Sequence, residues 1–286
     1  MPKYRLVQLS DPHLSGTHPL FHHNWEVALT AVEELAPDAV IVTGDLSYNG
    51  PSSVADLDYA QRQMDRISAP FVRVLPGNHD VGHTPAHPHA SQVLTETTLA
   101  QWCDRFGADY WVFDQAGWRF IGLNPFLAGS GLPEEHAQEA MLEEALATAD
   151  GPVGVFVHIP LFLQTPDEAL VAGFNMQEPE RGRWLGMLAG RVHFVASGHL
   201  HKHLAFDHGG IAYHWCPALS FVQTNGDSFA PGTRTLTGFL LHEFDGLEHK
   251  VEVIEPQDII NMDIRNWSEG PEHSYMRIAK RPFPMP

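Results

Sequence analysis

Five short polar clusters contain the residues of this 286-residue sequence that could carry out chemistry. They combine carboxylates, an amide and imidazoles at close spacing, and cysteine is absent from all of them. The clusters are Asp11-Pro12-His13, Gly44-Asp45, Gly77-Asn78-His79-Asp80, His158 and Gly198-His199-Leu200-His201. Nitrogen and oxygen donors without thiolates suit Mn, Fe, Zn, Co or Ni. The residue types therefore predict a transition-metal site.

Each cluster directly follows a segment that the sequence predicts to be a β-strand. The predicted strands cover residues 6–10, 39–42, 71–75, 153–157 and 192–196. Predicted helices at 24–35 and 54–67 separate the first three strands, a βαβαβ order that is typical of a parallel sheet. Ligands of such sheets bind at the carboxyl ends of the strands. The five clusters are therefore expected to meet at one edge.

The remaining segments complete an α/β fold, predicted as a four-layer α-β-β-α sandwich of two mixed sheets within residues 1–254. A hairpin is predicted around 114–117, a helix at 134–147, and antiparallel strands within 204–216 and 236–254. Residues 124–133, 159–179 and 217–233 are predicted as long loops, which in compact domains often carry function. The tail at 255–286 is expected to wrap the domain or a second subunit in a homodimer; a loose tail is the alternative.

Composition excludes several classes of partner. Lys and Arg number 17 against 35 Asp and Glu, giving a formal charge of −18. That charge disfavours nucleic acids and anionic membranes as partners. Cys103 and Cys216 are expected to be buried, reduced thiols. The sequence also has no long apolar segment and no recognisable signal peptide, so a cytoplasmic location is expected.

The five clusters, in this order over residues 11–201, resemble the motifs of the calcineurin-like metallophosphoesterase superfamily. One Gly-Asp pair would carry no information, but the complete ordered set is specific. The spacing is similar to that of the class III cyclic-nucleotide phosphodiesterases and glycerophosphodiesterases. The resemblance implies hydrolysis of a small phosphodiester at a pair of divalent metal ions. A phosphomonoesterase is the alternative, and a non-catalytic scaffold of the same fold is a more distant one.

The resemblance also implies a role for each residue. His79 would be catalytic and face the substrate, Asp80 would orient His79, and a hydroxide between the ions would attack phosphorus in line. The ions, of Mn, Fe, Zn or Co, would leave the pocket with a net positive charge that attracts a small phosphate ester. Seven residues would hold them, with Asp45 bridging: Asp11, His13 and His201 on the first ion, and Asn78, His158 and His199 on the second.

Two positions depart from the patterns of relatives. Ile159 follows His158 where relatives often have a second histidine, which leaves substrate class open. The segment Gly44-Asp45-Leu46-Ser47-Tyr48 resembles a purple acid phosphatase motif whose tyrosine binds iron. Those enzymes lack the histidine of the first motif, and His13 is present here. Tyr48 is therefore predicted to be a packing or substrate-side residue.

Other histidines and aromatic residues have simpler predicted roles. His22 and His23 are expected to begin a helix, and His203 is a candidate for supporting the site. His83, His87 and His89 are predicted to lie in a solvated loop, with approach to the site as the alternative. Phe126, Phe162 and Phe221 are predicted to pack their long loops, with contact to a substrate as the alternative.

Overall fold

The computed structural model describes residues 3–85, 87, 92–169, 173–223 and 232–264. Helices and strands alternate along this part of the chain and divide between two sheets. In chain order the elements are β1 (Tyr4–Leu9), α1 (His22–Leu35), β2 (Ala39–Thr43), α2 (Val54–Met64), β3 (Val72–Leu75), α3 (Asn78–Val81), α4 (Glu96–Phe106), β4 (Trp111–Gln115), β5 (Trp118–Leu123), α5 (Pro133–Ala147), β6 (Val153–Val157), α6 (Glu180–Leu188), β7 (Phe194–Ser197), β8 (Leu204–His208), β9 (Ile211–Trp215), β10 (Phe239–Asp245) and β11 (Glu248–Ile254).

The two sheets are both mixed, and helices flank them, which confirms the predicted α/β class and the two-sheet architecture. The first sheet has the strand order β11-β10-β1-β2-β3, and the second has the order β4-β5-β6-β7-β9-β8. In the first sheet, β1, β2 and β3 are parallel neighbours; in the second, β5, β6 and β7 are parallel. The strands that precede the polar clusters therefore run in parallel within each sheet.

Alternating side chains on the strands build two apolar layers. Leu6 of β1 and Ile41 of β2 lie in a cluster with Phe120, Phe156 and Phe194 of the second sheet. The intervening residues of β1 and β2 belong to the larger cluster that includes residues of the helices. Both faces of these strands are therefore covered, and burial of apolar surface holds the strand ends in fixed positions.

Three helices are absent from the sequence-based prediction. Helix α3 is a single turn over Asn78–Val81, inside the third polar cluster. Helix α4 begins after Thr95, whose side chain accepts a hydrogen bond from the backbone of Thr98, and it buries Leu99 and Trp102. Helix α6 lies directly after the predicted 159–179 loop. The prediction that α1 begins at the paired histidines is confirmed, because the helix starts at His22.

The two cysteines are free thiols, but only one of them is buried. Cys216 is buried after β9, whereas Cys103 is exposed on α4, so the prediction of two buried thiols is wrong for Cys103. Among the described residues, no helix has both the length and the apolar character needed to cross a bilayer.

The first part of the tail packs on the domain. The Asn24 side chain donates to the Ile260 carbonyl oxygen at 2.9 Å and accepts from the Ile260 amide at 2.9 Å. Val222 and Asp263 form an isolated bridge. Residues 265–286 lie outside the described part of the chain, so their predicted wrapping or dimer contact stays a prediction.

Three histidines on β9, β10 and β11 form a second polar cluster, which was not anticipated and in which His242 is fully buried. His249 of β11 lies beside His242 of β10, with 2.9 Å between their ring nitrogens, and His214 of β9 lies near both. Burial lowers the pKa of His249 to about 3 and that of His214 to about 4. Burial also holds the pKa of His242 well below its ordinary value.

This cluster should make stability depend on pH. Below about pH 6.5 the unfolded chain binds protons at these histidines and the folded chain does not, so stability falls as the pH falls. His249→Phe keeps a ring between Phe194 and Phe244. We expect this variant to reduce the pH dependence of the free energy of unfolding by about 1.4 kcal/mol per pH unit between about pH 6 and pH 4. Urea unfolding curves measured across this range check the prediction, and parallel pH profiles for variant and parent would contradict it.

Candidate metal centre

The five polar clusters lie together at the carboxyl ends of β1, β2, β3, β6 and β7. Each cluster starts within three residues of the end of its strand. The two sheets present these ends on the same side, so the clusters form one site although up to 190 positions separate Asp11 from His201. The structure thus brings together all seven residues that were predicted as metal ligands.

Backbone conformation at the site is unusual. Positive φ angles are rare for residues other than glycine, and they concentrate at functional sites. Five of the predicted ligands have them: Asp11 at 53°, His13 at 47°, Asp45 at 51°, His199 at 68° and His201 at 52°. Hydrogen bonds between the first two loops hold this conformation, with Asp11 N to Gly44 O at 3.0 Å and His13 N to Asp45 O at 3.0 Å.

Two motif glycines provide space for the ligands. Gly44 has a φ of 95°, and a Cβ there would collide with the His158 ring. A Cβ at Gly77 would collide with the Asp45 carboxylate. The glycines therefore let the third and fourth clusters approach the second at contact distance.

The first group of candidate ligands contains Asp11, His13 and His201. The His201 Nε2 atom lies 3.4 Å from Asp11 Oδ1 and 3.3 Å from His13 Nε2. All three side chains are at most 3% exposed. Asp11 Oδ1 and His13 Nδ1 are buried and have no hydrogen-bond partner among the described residues. A buried carboxylate oxygen without a partner is expected where a cation completes the site.

The second group contains Asp45, His158 and His199, with Asn78 beside them. The His158 Nε2 atom lies 3.2 Å from His199 Nδ1 and 3.2 Å from Asn78 Oδ1. Its distance to Asp45 Oδ2 is 3.4 Å. Four potential ligand atoms from four separate loops therefore face one point.

Asp45 joins the two groups. Its Oδ2 atom lies 3.6 Å from His13 Nε2 and 3.4 Å from His158 Nε2. Its Oδ1 atom accepts a hydrogen bond from the His79 amide at 2.8 Å, which fixes the carboxylate plane. One carboxylate oxygen thus faces both groups, as the predicted bridging role requires.

Backbone carbonyls fix the tautomer of three histidines. Nδ1 of His158 donates to the Thr43 carbonyl at 2.7 Å, and Nδ1 of His201 donates to that of Phe221 at 2.8 Å. Nε2 of His199 donates to the Gly173 carbonyl at 3.0 Å. In each ring the other nitrogen, with its lone pair, faces the site. At 3.2 Å, the facing nitrogens of His158 and His199 need a proton or a metal ion between them.

These residues fit a pair of divalent ions. Ligands that bind a metal at about 2.0–2.1 Å in tetrahedral or octahedral geometry are roughly 3.0–3.4 Å from each other. The separations between candidate ligand atoms are 3.2–3.6 Å in both groups. Donor type, tautomer and spacing therefore all suit divalent transition metals.

The electrostatics of the ligand set also favour cations. Burial raises the pKa of Asp45, but His158 and His79 outweigh it and hold that pKa well below its usual range. Burial lowers the pKa of His158, but Asp45 outweighs it and raises the value to about 9. Burial, followed by His158, lowers the pKa of His199 to about 3. Asp11, whose pKa is lowered to about 2, and Asp45 are therefore ionised at neutral pH and His199 is neutral, whereas His158 would give up a ring proton when an ion binds.

The predicted role of Asp80 in orienting His79 does not hold. The Asp80 carboxylate instead accepts hydrogen bonds from the Gly77 amide at 2.8 Å, the Leu46 amide at 3.1 Å and the Ser47 amide at 2.8 Å. Asp80 therefore fixes the loops of the second and third clusters against each other. The His79 ring is oriented by a backbone group, because its Nδ1 donates to the Tyr48 carbonyl at 2.8 Å.

A chain of hydrogen bonds connects the site to the second histidine cluster. Ser10 Oγ donates to Asp11 Oδ2 at 2.5 Å and accepts from Thr43 Oγ1 at 2.9 Å. The Gln8 amide donates to Thr43 Oγ1 at 3.0 Å, and its carbonyl oxygen accepts from His242 Nε2 at 3.1 Å. Polar groups buried between the sheets thus orient Asp11, and no motif in the sequence indicated this.

The pocket above the ligands has a volume of about 240 Å³. Besides the predicted ligands and His79, its lining includes His83, His87, Phe174, Phe221 and Gln223. The prediction of a solvated loop is therefore wrong for His83 and His87, whose rings stack at 4.2 Å beside the second group. His89 lies outside the described residues.

The remaining candidates have packing roles. The Tyr48 ring stacks on His18 at 5.4 Å and packs on the small cluster of Phe21 and Phe221, in agreement with its predicted packing role. His203 Nδ1 donates to the Trp215 carbonyl at 3.0 Å, away from the ligands. The rings of Phe126 and Phe162 are buried. Phe126 lies 6.0 Å from the His158 ring, and Phe162 packs on Tyr213.

Comparison with known proteins supports the resemblance that the five polar clusters indicated. A family model described as calcineurin-like phosphoesterase matches residues 4–203. The serine/threonine-protein phosphatase CPPED1 of Danio rerio is 36% identical over 202 residues, which are 64% of this chain and 61% of that protein. A probable cyclic nucleotide phosphodiesterase of Moraxella catarrhalis is 40% identical over 83 residues, 28% of each chain. The matched region thus spans about three fifths of the CPPED1 relative.

A solved structure has the same fold. A dimetal phosphatase from Danio rerio superimposes with a TM-score of 0.56 at 12% identity, over 88% of this chain and 99% of that one. The family match covers all five polar clusters, from Asp11 to His201. On these grounds, the chain belongs to the calcineurin-like phosphoesterase family.

Proposed function

We propose that this chain hydrolyses small phosphodiesters and uses two divalent ions to do so. The observation that carries the proposal is the pocket lining, which holds neither lysine nor arginine among the described residues. The nearby Lys202 is 2% exposed, and its amino group donates to Thr235. The positive charge that attracts a phosphate would therefore come from the ions, and from His79 when it carries the proton for the leaving oxygen.

The charge balance favours a monoanionic substrate. Two divalent ions carry four positive charges, and the carboxylates of Asp11 and Asp45 cancel two of them. A hydroxide ligand would leave a net charge of one on the ions and their ligands, which balances the single negative charge of a phosphodiester, and the proton on His79 would balance the charge that develops on the leaving oxygen. A phosphomonoester is largely a dianion at neutral pH, and such dianions are commonly bound by arginine or lysine as well.

The size of the pocket favours a small substrate. Its volume of about 240 Å³ is below the roughly 300–1,000 Å³ typical of sites for drug-sized ligands. Phe221 lies beside His201 on one side and Phe174 beside His199 on the other. Apolar rings on both sides leave room for one organic group on each side of the phosphate.

The residues of this chain would position and protonate the substrate. When bound, the ions would lower the pKa of a water molecule and neutralise charge on the phosphate. Asp45 would keep the two ligand groups at a fixed separation. The Tyr48 carbonyl holds Nδ1 of His79, so that Nε2 is the nitrogen that would deliver a proton to the leaving oxygen.

Hydrolysis of phosphomonoesters is the second candidate. It is favoured by the similarity to CPPED1, which covers more of this chain than the similarity to the phosphodiesterase-named protein. That relative is named as a protein phosphatase, and a phosphorylated protein side chain is a monoester.

A substrate pair tests the proposal. We expect the Mn-loaded protein to hydrolyse bis(p-nitrophenyl) phosphate with a kcat/KM at least about tenfold above that for p-nitrophenyl phosphate, because the diester matches the charge and the two-sided pocket. Release of p-nitrophenol measures both reactions, and protein treated with chelator is the control. Turnover of the monoester alone would show that the second candidate is correct.

A further inference from the structure

We propose that His83 and His87 form a subsite for the retained ester group of a phosphodiester, the group that stays on phosphorus when the leaving alcohol departs. The proposal rests on the proposed function and extends it, because it assigns the two ends of the pocket to the two halves of the substrate. His83 and His87 lie outside all five motifs.

The two ends of the pocket are marked by different histidines. At one end the His79 ring contacts His13 of the first ligand group, with 4.6 Å between ring centroids. At the other end His83 lies 6.4 Å from His199 of the second group, in an edge-to-face arrangement. A phosphate over both ions would therefore have His79 on one side and the His83–His87 pair on the other. If His79 protonates the leaving oxygen, the retained group is directed toward the pair.

The position of His83 is fixed by the backbone. Its amide donates to the Gln92 carbonyl at 3.1 Å, and its carbonyl accepts from the Leu94 amide at 2.7 Å. The edge of Phe126 contacts the His83 ring at 5.7 Å, and His87 stacks on it at 4.2 Å. The ring is thus held in place by its neighbours before any substrate binds, as a binding residue should be.

His87 is connected to the second ligand group. The Gly173 backbone lies so close to the His87 ring that a side chain at position 173 would collide with it. The carbonyl of the same glycine accepts the hydrogen bond from His199 at 3.0 Å. The pair is therefore packed against a ligand and belongs to the wall of the pocket.

One atom of the pair lacks a hydrogen-bond partner within the described part of the chain. His83 Nδ1 is buried and has no hydrogen-bond partner among the described residues. Buried ring nitrogens are normally paired, so this atom lacks a partner that a polar group of the substrate would supply. Among the described residues that line the pocket, Asp45 alone carries a formal charge. The retained group that suits this end is therefore uncharged and bears a hydroxyl, such as a glyceryl or ribosyl unit.

Two substrates with the same leaving group test the inference. The p-nitrophenyl ester of thymidine 5'-monophosphate has a retained nucleoside with a hydroxyl, whereas p-nitrophenyl phosphate has no retained group. With Mn-loaded protein, we expect His83→Phe to lower kcat/KM for the diester about tenfold or more, mainly through KM. Activity on the monoester should stay within about twofold of the parent.

Matched variants separate binding from packing. Asparagine can place a polar atom close to the position of Nδ1, so His83→Asn should restore diester activity to within about threefold of the parent. Phenylalanine keeps the ring contacts and removes both nitrogens. His136→Asn, on the exposed side of α5, is the control. Equal losses on both substrates, or an asparagine variant no better than phenylalanine, would overturn the subsite and leave the proposed function intact. A parent protein without diester activity would overturn both.

Discussion

Replacing His79 with alanine should lower turnover by roughly two to four orders of magnitude and leave the metal content unchanged. The His79 ring reaches the pocket from α3, and among the described residues its side chain makes one hydrogen bond, to the Tyr48 carbonyl. The hydrogen bond to Asp45 comes from the His79 backbone, which alanine retains. The ligand set should therefore survive the substitution, while the group that would protonate the leaving oxygen is lost. Steady-state kinetics and elemental analysis of the same preparation measure both quantities.

The outcome also separates three roles for His79. Its ligand atom lies near those of His13 and Asp45, a grouping that could itself hold an ion. If His79→Ala loses metal, His79 is a ligand and its catalytic role is wrong. If turnover is unchanged, His79 has no part in the reaction. His79→Asn is the matched variant, because its side-chain amide can still donate to the Tyr48 carbonyl; it should be as slow as alanine.

Replacing Asp45 with alanine should abolish both metal binding and activity, with turnover reduced by at least about three orders of magnitude. One carboxylate oxygen faces both ligand groups, so its removal takes a ligand from each ion at once. It also leaves His13 and His158 buried without their shared negative charge. Elemental analysis after dialysis and hydrolysis of a p-nitrophenyl ester measure the two losses.

A second buried carboxylate provides the control for Asp45. Asp56 is 4% exposed and accepts a hydrogen bond from Ser15 at 2.6 Å, outside the ligand groups. Asp56→Asn should retain both ions and activity. An Asp45→Ala protein that still carries two ions per chain would refute the bridging role.

The sequence predicts the centre of this site well because its geometry follows from strand topology. Each ligand lies within a few residues of the end of a buried strand, and parallel strands bring those ends to one edge. Some of these strands, such as residues 39–42 and 153–157, are continuous apolar segments. Such segments are typical of strands that are buried on both faces of a sheet. Local sequence was therefore sufficient to place Asp45 and His158.

The rim of the pocket could not be predicted in the same way. His83 and His87 lie in a proline-rich segment without periodicity, and their position depends on contacts with Gln92, Leu94 and Gly173 from elsewhere. The role of Asp80 was misjudged for a similar reason. Proximity in sequence suggested His79 as its partner, whereas the turn at Gly77 directs the carboxylate to the backbone of Ser47.

The missed helices have weak local signals. Helix α3 is one turn, and α6 contains Gly182 and Gly186, which disfavour helix. Helix α4 has a capping threonine, but Thr97 and Thr98 in its first turn lower its helix propensity. Tertiary packing of Trp102 and Trp184, both fully buried, compensates in α4 and α6.

The most direct test of the account is an anomalous difference map from crystals of the protein grown with Mn²⁺, measured on both sides of the metal absorption edge. If two ions occupy the two ligand groups, the map will show two peaks per chain, roughly 3.5–4 Å apart. One peak should lie between Asp11 and His201, the other between Asn78 and His199, with the Asp45 carboxylate between the two. A map with no peak among these side chains, or with a single peak that Asp45 does not contact, would contradict it.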